Sequence, residues 1–214
     1  MTNPPQPNFD HIARIYRWAE YVTLGPLLQR ARMHFLPQLP HCRRAVVLGD
    51  GDGRFLAALL RQQPELHALA VDTSSAMLHL LSKRCSQSAS LVQTLHASAL
   101  NIVLPTETDL VATHFFLDCL TQHEVDSLAS ILANHMRPGT LWLLSDFGQP
   151  VLRALRPLAS IYISALYLAF RILTGLRVNR LPNPQSSLSN AGFDCIGRRD
   201  IFFGLIYTEM WRRR

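Results

Sequence analysis

The sequence predicts an α/β sandwich built on a seven-stranded, mostly parallel sheet. Short apolar runs rich in β-branched residues alternate along the chain with stretches in which apolar residues recur every three or four positions, as expected for strands that alternate with helices. The first such run, residues 45–48, ends at a loop with three glycines, and an apolar-periodic stretch follows at once. The 214 residues suit one domain of this kind with an appended lid.

The loop after the first strand has glycine at alternate positions, Gly49, Gly51 and Gly53. Glycine lets the backbone turn sharply and approach a ligand without a Cβ atom in the way, and the helix start that follows presents free N–H groups. A P-loop would end in Gly-Lys-Ser/Thr, whereas Gly53 is followed by Arg54. A dinucleotide fingerprint would carry its third glycine one position later, inside the helix. The loop therefore indicates a nucleotide-like ligand without a phosphate chain.

A second short strand, predicted over residues 67–72, ends in Asp72. A carboxylate at this position is well placed to accept hydrogen bonds from ribose hydroxyls. With the glycine loop, Asp72 and the helix start Thr73-Ser74-Ser75-Ala76-Met77-Leu78, the sequence resembles the class I S-adenosylmethionine-dependent methyltransferases. It is most similar to their ubiquinone/menaquinone-biosynthesis type, over a range from about Phe9 to the C-terminus. The resemblance implies a Rossmann-like methyltransferase fold and S-adenosyl-L-methionine as the cofactor.

The resemblance also implies a set of cofactor contacts. An acid and a small residue after the third strand touch the adenine in the family, and the corresponding pair here is Ser98-Ala99. Family members commonly carry an acid two residues before the first glycine, where this chain has Val47. Contacts to the methionine end would then be made differently, through Asp50 or Asp52. The expected cofactor-binding residues are Gly49, Asp50, Gly51, Gly53, Asp72, Thr73, Met77, Ser98, Ala99 and His114.

Polar residues after the predicted fourth and fifth strands are the catalytic candidates. Ligands lie beyond the carboxyl ends of parallel strands, so His114 and Asp118 should emerge where cofactor and acceptor meet. Histidine titrates near neutral pH and could take a proton from a hydroxyl or an acidic carbon. Alternatively, His114 packs beside the cofactor, and Asp118 caps the helix predicted from Thr121. Asp146, after the fifth strand, is a further polar candidate for the pocket floor.

Residues 1–40 are predicted to form an N-terminal helical cap on a methyltransferase core that spans residues 41–214. Apolar residues recur at helical spacing between Phe9 and Leu28. In the resembling family this region covers the cofactor and helps to build the substrate pocket. Tyr16 is therefore the third catalytic candidate, and the alternative is that it packs the cap onto the core.

The most apolar stretch of the chain lies at about residues 151–181. It holds only 14 successive uncharged residues, 157–170, whereas a membrane-spanning helix needs about 20. It is predicted to be a lid helix over an apolar substrate, inserted between the fifth and sixth strands. The alternatives are an interfacial helix that contacts lipid headgroups and a surface for a homodimer.

The net charge of +6 is unevenly distributed, because ten arginines face three acids after residue 150. This asymmetry indicates an anionic partner or a solvated basic face. Nucleic acid is the less favoured partner, since the arginines flank an apolar stretch and do not alternate with aromatic residues. The four cysteines lack CxxC or metal-type spacing, and the N-terminus lacks a secretion signal. We therefore expect a reduced, cytoplasmic protein without a metal, with membrane association as the alternative.

The predicted function is methyl transfer from S-adenosylmethionine to oxygen or carbon of a small, apolar or aromatic acceptor. Such a reaction needs mainly positioning, because the sulfonium leaving group is already activated and departs neutral. Two alternatives remain open at this point. One is an RNA methyltransferase that uses the basic C-terminal third, and the other is a non-catalytic protein that binds the cofactor.

Overall fold

The computed structural model describes residues 24–148 and 181–214, and its centre is a seven-stranded sheet. The strands are β1 (Arg44–Leu48), β2 (His67–Asp72), β3 (Val92–His96), β4 (Leu110–His114), β5 (Leu141–Phe147), β6 (Phe193–Ile201) and β7 (Ile206–Arg213). They lie in the order β3-β2-β1-β4-β5-β7-β6. The first five are parallel, and β7 is antiparallel to both of its neighbours. The predicted fold class is confirmed.

Five α-helices belong to the described residues. They are α1 (Gly25–Met33), α2 (Arg54–Gln62), α3 (Ser75–Arg84), α4 (Gln122–His135) and α5 (Pro184–Asn190). The start of α4 is a capping box, in which the Thr121 hydroxyl accepts from the Glu124 N–H and the Glu124 carboxylate accepts from the Thr121 N–H. Ser74 caps α3 by accepting from the Met77 N–H. Local hydrogen bonding therefore sets where the helices begin.

The two faces of the sheet support two separate apolar cores. Side chains of successive strand residues point to opposite faces, and both faces of the central strands are covered, so these strands are mostly apolar. On one face Val46 packs with Trp142 and with Leu128 of α4. On the other face Val47 packs with Phe55 and other residues of α2. Since both faces of the central strands are covered, a ligand can bind only at the ends of these strands.

The sheet order creates a crevice at the carboxyl ends of β1 and β4. The chain proceeds from β1 to β2 on one side, whereas β4 pairs with the other side of β1. Ligands of open α/β sheets bind at such a switch point. The glycine loop, residues 49–53, leaves β1 at this crevice.

Several predictions concern residues that the structure does not describe. Tyr16 and the rest of the predicted cap up to residue 23 lie outside the described residues. So does the predicted lid at about residues 151–181, except for its last residue. The described part of the cap is α1 and the short 3-10 turn Leu36–Gln38. None of the helices within residues 24–148 and 181–214 is long and apolar enough to cross a bilayer.

Candidate functional site

The glycine loop needs glycine for two physical reasons. Gly49, Gly51 and Gly53 have φ angles of +65°, +57° and +78°, which side chains rarely allow. A Cβ atom on Gly49 would also lie 2.3 Å from a ring carbon of Phe116, and one on Gly53 would lie 2.7 Å from Cγ of Leu81. At Gly51 the nearest atom to such a Cβ lies 4.0 Å away. The middle of the loop therefore leaves room for close approach by a ligand.

Asp72 lies alongside this loop. Leu48 pairs with Val71, and the N–H of Gly49 donates to the carbonyl of Val71 at 2.9 Å, so the next residue of β2 stands beside the loop. The Asp72 carboxylate accepts from the N–H of Ser74 at 2.9 Å, which orients it at the end of the strand. A half-buried, oriented carboxylate next to an open glycine turn fits a ligand with vicinal hydroxyls.

The predicted adenine contacts lie at the same edge of the sheet. The N–H of Ala97 donates to the carbonyl of Asp72, so the turn after β3 runs beside the end of β2. Ser98 caps the 3-10 turn Ala99–Asn101 through its hydroxyl, and Ala99 is buried. Thr73 follows Asp72, and its carbonyl lies 2.9 Å from Nε2 of His96. The contact of Ser98 and Ala99 with an adenine stays a prediction.

Met77 lies beneath the loop. Its side chain is buried, and its sulfur is the atom nearest to a Cβ built on Gly51. Since Met77 belongs to the first turn of α3, the capped start of that helix and the glycine loop form one wall of the crevice.

His114 is enclosed rather than exposed. It is 3% exposed at the end of β4, and its ring packs on the ring of Phe55 with 4.4 Å between centroids. Burial and the charge of Arg32 lower its pKa to about 3. The ring is therefore neutral at neutral pH and a weak base. This geometry favours the packing alternative over the role of proton acceptor.

A chain of hydrogen bonds determines the tautomer of His114. The Thr208 hydroxyl donates to the carbonyl of Leu144, which can only accept. The Ser145 hydroxyl donates to Thr208 at 2.9 Å, and it lies 2.9 Å from Nδ1 of His114. With its own hydrogen used, Ser145 accepts from Nδ1–H of the imidazole. Nε2 is then an acceptor, and it is buried without a hydrogen-bond partner.

Asp118 and Asp146 form a buried carboxyl pair between the ends of β4 and β5. Asp146 accepts from the N–H of Asp118 at 3.0 Å and from the N–H of Phe147 at 2.9 Å, and the two carboxyl groups are hydrogen-bonded to each other. Burial raises the pKa of Asp118 to about 6, and burial with the neighbouring charge raises the pKa of Asp146 further. Because the two carboxyl groups are hydrogen-bonded to each other, the pair shares a proton. The capping alternative for Asp118 is wrong, because Thr121 caps α4.

Cys119 lies next to the carboxyl pair. Its thiol lies 3.6 Å from Oδ1 of Asp118. Burial raises the pKa of this thiol well above its usual range, and the charges of Asp118, Asp146 and Asp72 raise it further. The thiol is therefore neutral at neutral pH. The sequence carried no signal for Cys119, because its surroundings come from three strands that are distant in sequence.

The two aspartates of the glycine loop have different environments. Asp50 is buried, its Oδ2 accepts from the N–H of Leu56 at 2.9 Å, and its Oδ1 is buried without a hydrogen-bond partner. Burial raises the pKa of Asp50 to about 7, an effect that Arg32 partly offsets. Asp52 instead forms ion pairs with Arg54 at 3.1 Å and with Arg84 at 2.6 Å. Of the two predicted contacts to the methionine end, only Asp50 offers an unpaired buried atom.

Residues 45–139, from β1 to the turn after α4, match the family model described as a methyltransferase domain. The matched segment includes the glycine loop, Asp72 and the carboxyl end of β4. The chain has the Rossmann-like methyltransferase fold. No curated protein matches the sequence.

Solved structures share this methyltransferase fold. An O-methyltransferase family protein from Burkholderia thailandensis superposes with a TM-score of 0.69 at 17% identity, covering 94% of this chain and 59% of that one. A putative O-methyltransferase from Nostoc punctiforme superposes with a TM-score of 0.73 at 16% identity, and the match covers 96% of this chain and 60% of that one. An O-methyltransferase family 2 protein from Planctomyces limnophilus, in complex with apigenin, superposes with a TM-score of 0.70 at 15% identity. The match covers 96% of this chain and 62% of that one. The chain thus spans about three fifths of the length of these proteins.

Proposed function

We propose that this protein transfers a methyl group from S-adenosyl-L-methionine to a small, apolar or aromatic acceptor. The observation that carries the proposal is the oriented carboxylate of Asp72 beside a three-glycine loop at the switch point of the sheet. A ribose fits this arrangement, and the open side of Gly51 admits the adjoining part of the ligand. The methyltransferase domain match over the same residues supports the proposal.

The proposed cofactor site combines the glycine loop with the ends of β2 and β3. Asp72 binds the ribose hydroxyls, and Thr73 and Met77 line the start of α3 below it. Ser98 and Ala99 contact the adenine. When bound, S-adenosylmethionine supplies a methyl group on a positively charged sulfonium. The remaining task of the protein is to orient the acceptor and to remove its proton.

Asp118 is the proposed proton acceptor, with Asp146 as its hydrogen-bond donor. A hydroxyl acceptor must lose its proton as its oxygen forms the new bond to carbon, and the Asp118 carboxylate receives that proton. A carboxylate with a pKa of about 6 is ionised at neutral pH, yet it is a better base than an ordinary aspartate. His114 is not assigned this role, since its pKa is lowered to about 3 and its imidazole is therefore a weak base. Tyr16 stays a third candidate.

A small-molecule acceptor is favoured over RNA. One protein of the same fold is a complex with apigenin, and several are O-methyltransferases. Three of the five arginines in residues 181–214 are engaged within the fold. Arg198 pairs with Asp200 and Glu209, Arg213 donates to the carbonyls of Ala133 and Gly192, and Arg214 pairs with Asp194. Engaged arginines are less able to neutralise a phosphate backbone.

The proposal is tested by following a radiolabelled methyl group from S-adenosylmethionine to a panel of lipophilic phenols. We expect labelled product with the wild type. Asp118→Asn should lower kcat by about a hundredfold at pH 7.5 and leave cofactor affinity unchanged, because only proton removal is impaired. Asp194→Asn, which changes an exposed acid on β6, is the matched control. Binding of the cofactor without transfer to any phenol, other small molecule or RNA would favour the non-catalytic alternative.

A further inference from the structure

We propose that the turn between β6 and β7, together with two arginines behind it, docks the protein onto anionic lipid bilayers. Phe202 and Phe203 form the tip of this turn, and they are 49% and 61% exposed. Adjoining apolar side chains on a surface mark contacts with other proteins or with membranes. The cations beside the tip favour a membrane, because headgroups of anionic lipids are negatively charged. This surface is separate from the proposed cofactor site, so its docking role does not depend on the proposed function.

The backbone holds both phenylalanines in a conformation that side chains rarely adopt. Phe202 and Phe203 have φ angles of +49° and +57°, and Gly204 follows at +86°. Non-glycine residues in this left-handed region are strained, and two in succession are uncommon. Burial does not repay the strain, since both side chains are exposed. The strained turn presents two aromatic rings to the surroundings, with 5.8 Å between their centroids.

The tip projects from a packed base. Ile201 before the turn and Ile206 after it are buried with Leu28 of α1 in one apolar cluster. The N–H of Leu205 donates to the carbonyl of Phe202 at 3.1 Å, which closes the turn. A tip that is already ordered loses little conformational entropy when it contacts a partner.

The face of β6 behind the tip is the face on which α1 packs. A Cβ atom on Gly197 would lie 2.9 Å from a ring carbon of Phe35, just after α1, and Ile201 packs with Leu28 of α1. Alternate residues of a strand share a face. Arg199 lies between these two contacts and therefore faces the same side as α1.

Arg199 and Arg30 form a cationic patch around His34. Burial lowers the pKa of His34, and the charges of Arg199 and Arg30 lower it further, so both guanidinium groups lie near this ring. Both arginines are exposed, and neither pairs with an acid within residues 24–148 and 181–214. Asp200, the acid next to Arg199, pairs instead with Arg198. Cations that no acid neutralises attract an anionic partner.

The tip lies at the edge of the sheet where the candidate site is located. Phe147, the last residue of β5, pairs with Ile206, the first residue of β7. The turn that precedes β7 therefore stands beside the carboxyl end of β5. A bilayer in contact with the tip faces this edge, and an apolar acceptor dissolved in the lipid would reach the site without crossing bulk water.

Co-sedimentation of the full chain with vesicles tests the proposal. The wild type should bind vesicles of equal parts phosphatidylcholine and phosphatidylserine more tightly than vesicles of phosphatidylcholine alone, and salt should weaken the difference. Arg30→Gln with Arg199→Gln should lower the affinity for the anionic vesicles by about thirtyfold, or about fivefold for each arginine. Arg212→Gln is the matched control, because Arg212 is exposed at the other end of β7.

A second pair of substitutions tests the aromatic tip. Asparagine tolerates a left-handed φ angle better than phenylalanine does, so Phe202→Asn with Phe203→Asn should keep the fold and should not lower the free energy of unfolding. Its affinity for the anionic vesicles should fall by at least about tenfold, because the apolar area that enters the bilayer is lost. Val103→Asn, which changes a 75% exposed side chain between β3 and β4, is the matched control.

The position of the tip in the bilayer has a spectroscopic readout. Phe203→Trp places an indole at the tip, whereas Trp142 and Trp211 are buried within the fold. With anionic vesicles its emission should shift to shorter wavelength relative to the wild type, and brominated acyl chains should quench it. An unchanged spectrum would show that the tip does not enter the bilayer.

The remaining outcomes decide between this surface and others. No binding of the wild type to anionic vesicles would overturn the proposal. Equal binding by the wild type and both double variants would also overturn it, and would place the membrane contact elsewhere in the chain. An oligomer that dissociates in Phe202→Asn with Phe203→Asn, without vesicle binding by the wild type, would assign the tip to a second copy of the chain. Both double variants should bind S-adenosylmethionine as the wild type does, so the proposed function is tested separately.

Discussion

Burial acts in opposite directions on the two titratable side chains that follow β4. It raises the pKa of Asp118 to about 6 and lowers the pKa of His114 to about 3, because in each case the neutral form is favoured. At neutral pH Asp118 is consequently an ionised base, whereas His114 is an uncharged acceptor. Residue type alone suggests the reverse assignment, since histidine is the usual base near pH 7.

The proposed base predicts the pH dependence of the reaction. Asp118 must be ionised to accept a proton, so kcat should fall as the pH drops through about 6. Asp146→Ala removes the hydrogen-bond donor that lowers the pKa of the Asp118 carboxyl, so the midpoint should move to higher pH. A pH–rate profile of both proteins measures this. An identical midpoint in the variant would contradict the coupling of the two carboxyl groups.

The burial of neutral His114 should make the free energy of unfolding depend on pH. The unfolded side chain binds a proton below pH 6.5, whereas the folded one does so only near pH 3, so its contribution to stability is lost as the pH falls through this window. Between pH 7 and pH 5 His114 alone should contribute a loss of about 2 kcal/mol, which the buried acids with raised pKa values offset in the wild type and in the variant alike. His114→Asn keeps a donor to Ser145 and should lack this part of the loss. Urea unfolding at the two pH values compares them, and equal losses would be inconsistent with a buried neutral histidine.

We expect a side chain at Gly49 to destabilise the protein by a steric clash, and Gly139 offers a matched control without the clash. Gly49→Ala would place a methyl group 2.3 Å from the Phe116 ring, in addition to the strain of a φ angle of +65°. Gly139→Ala has only the strain, because nothing lies within 4 Å of its Cβ position. We expect a destabilisation of about 1 kcal/mol for Gly139→Ala and about 2 to 4 kcal/mol for Gly49→Ala. Phe116→Ala should relieve part of the second cost, and additive effects of the two changes would contradict the contact.

At the scale of elements, the β6–β7 hairpin contains a buried acid with several donors. Glu209 is 1% exposed, and it accepts from Arg198, from Nε2 of Gln185 at 3.1 Å and from Nε1 of Trp211 at 2.9 Å. Arg198 also lies over the ring of Tyr207. The hairpin is therefore held by one connected polar cluster on β7.

This cluster predicts unequal costs for two ion pairs. Arg198→Met removes the cationic partner of a buried carboxylate and should destabilise the protein by about 2 kcal/mol. Asp194→Ala breaks the exposed pair with Arg214 and should cost less than about 1 kcal/mol. Denaturant unfolding of the two variants measures the difference. Equal costs would mean that Glu209 is adequately stabilised by its neutral donors.

Elements with a local signal could be predicted from the sequence. The capping box at Thr121 sets the start of α4, and the glycine loop after an apolar run predicts the passage from β1 to α2. Contacts between distant elements could not be predicted. The hydrogen bond from Asp118 to Asp146 spans 28 residues and depends on the pairing of β4 with β5, and Arg32 approaches Asp50 only because α1 packs near the switch point.

At the scale of the whole molecule, the sheet explains why the candidate site is assembled from separate parts of the sequence. Parallel strands end at one edge, so Asp72, His114 and Asp146 come from three strands yet lie at the same edge of the sheet. The apolar strands predict this architecture, because both faces of a parallel sheet are covered. The chemistry at the edge depends on burial, which the sequence pattern does not report for polar residues.

The central claim is that the glycine loop and Asp72 bind S-adenosylmethionine, and a calorimetric titration of the purified protein with this ligand tests it most directly. We predict saturable binding by the wild type and by the control Asp194→Ala, and at least tenfold weaker binding by Asp72→Ala, because the ribose hydroxyls lose a charged acceptor. Circular dichroism establishes that each variant is folded. Unchanged affinity in folded Asp72→Ala, or no binding by the wild type, would contradict the claim.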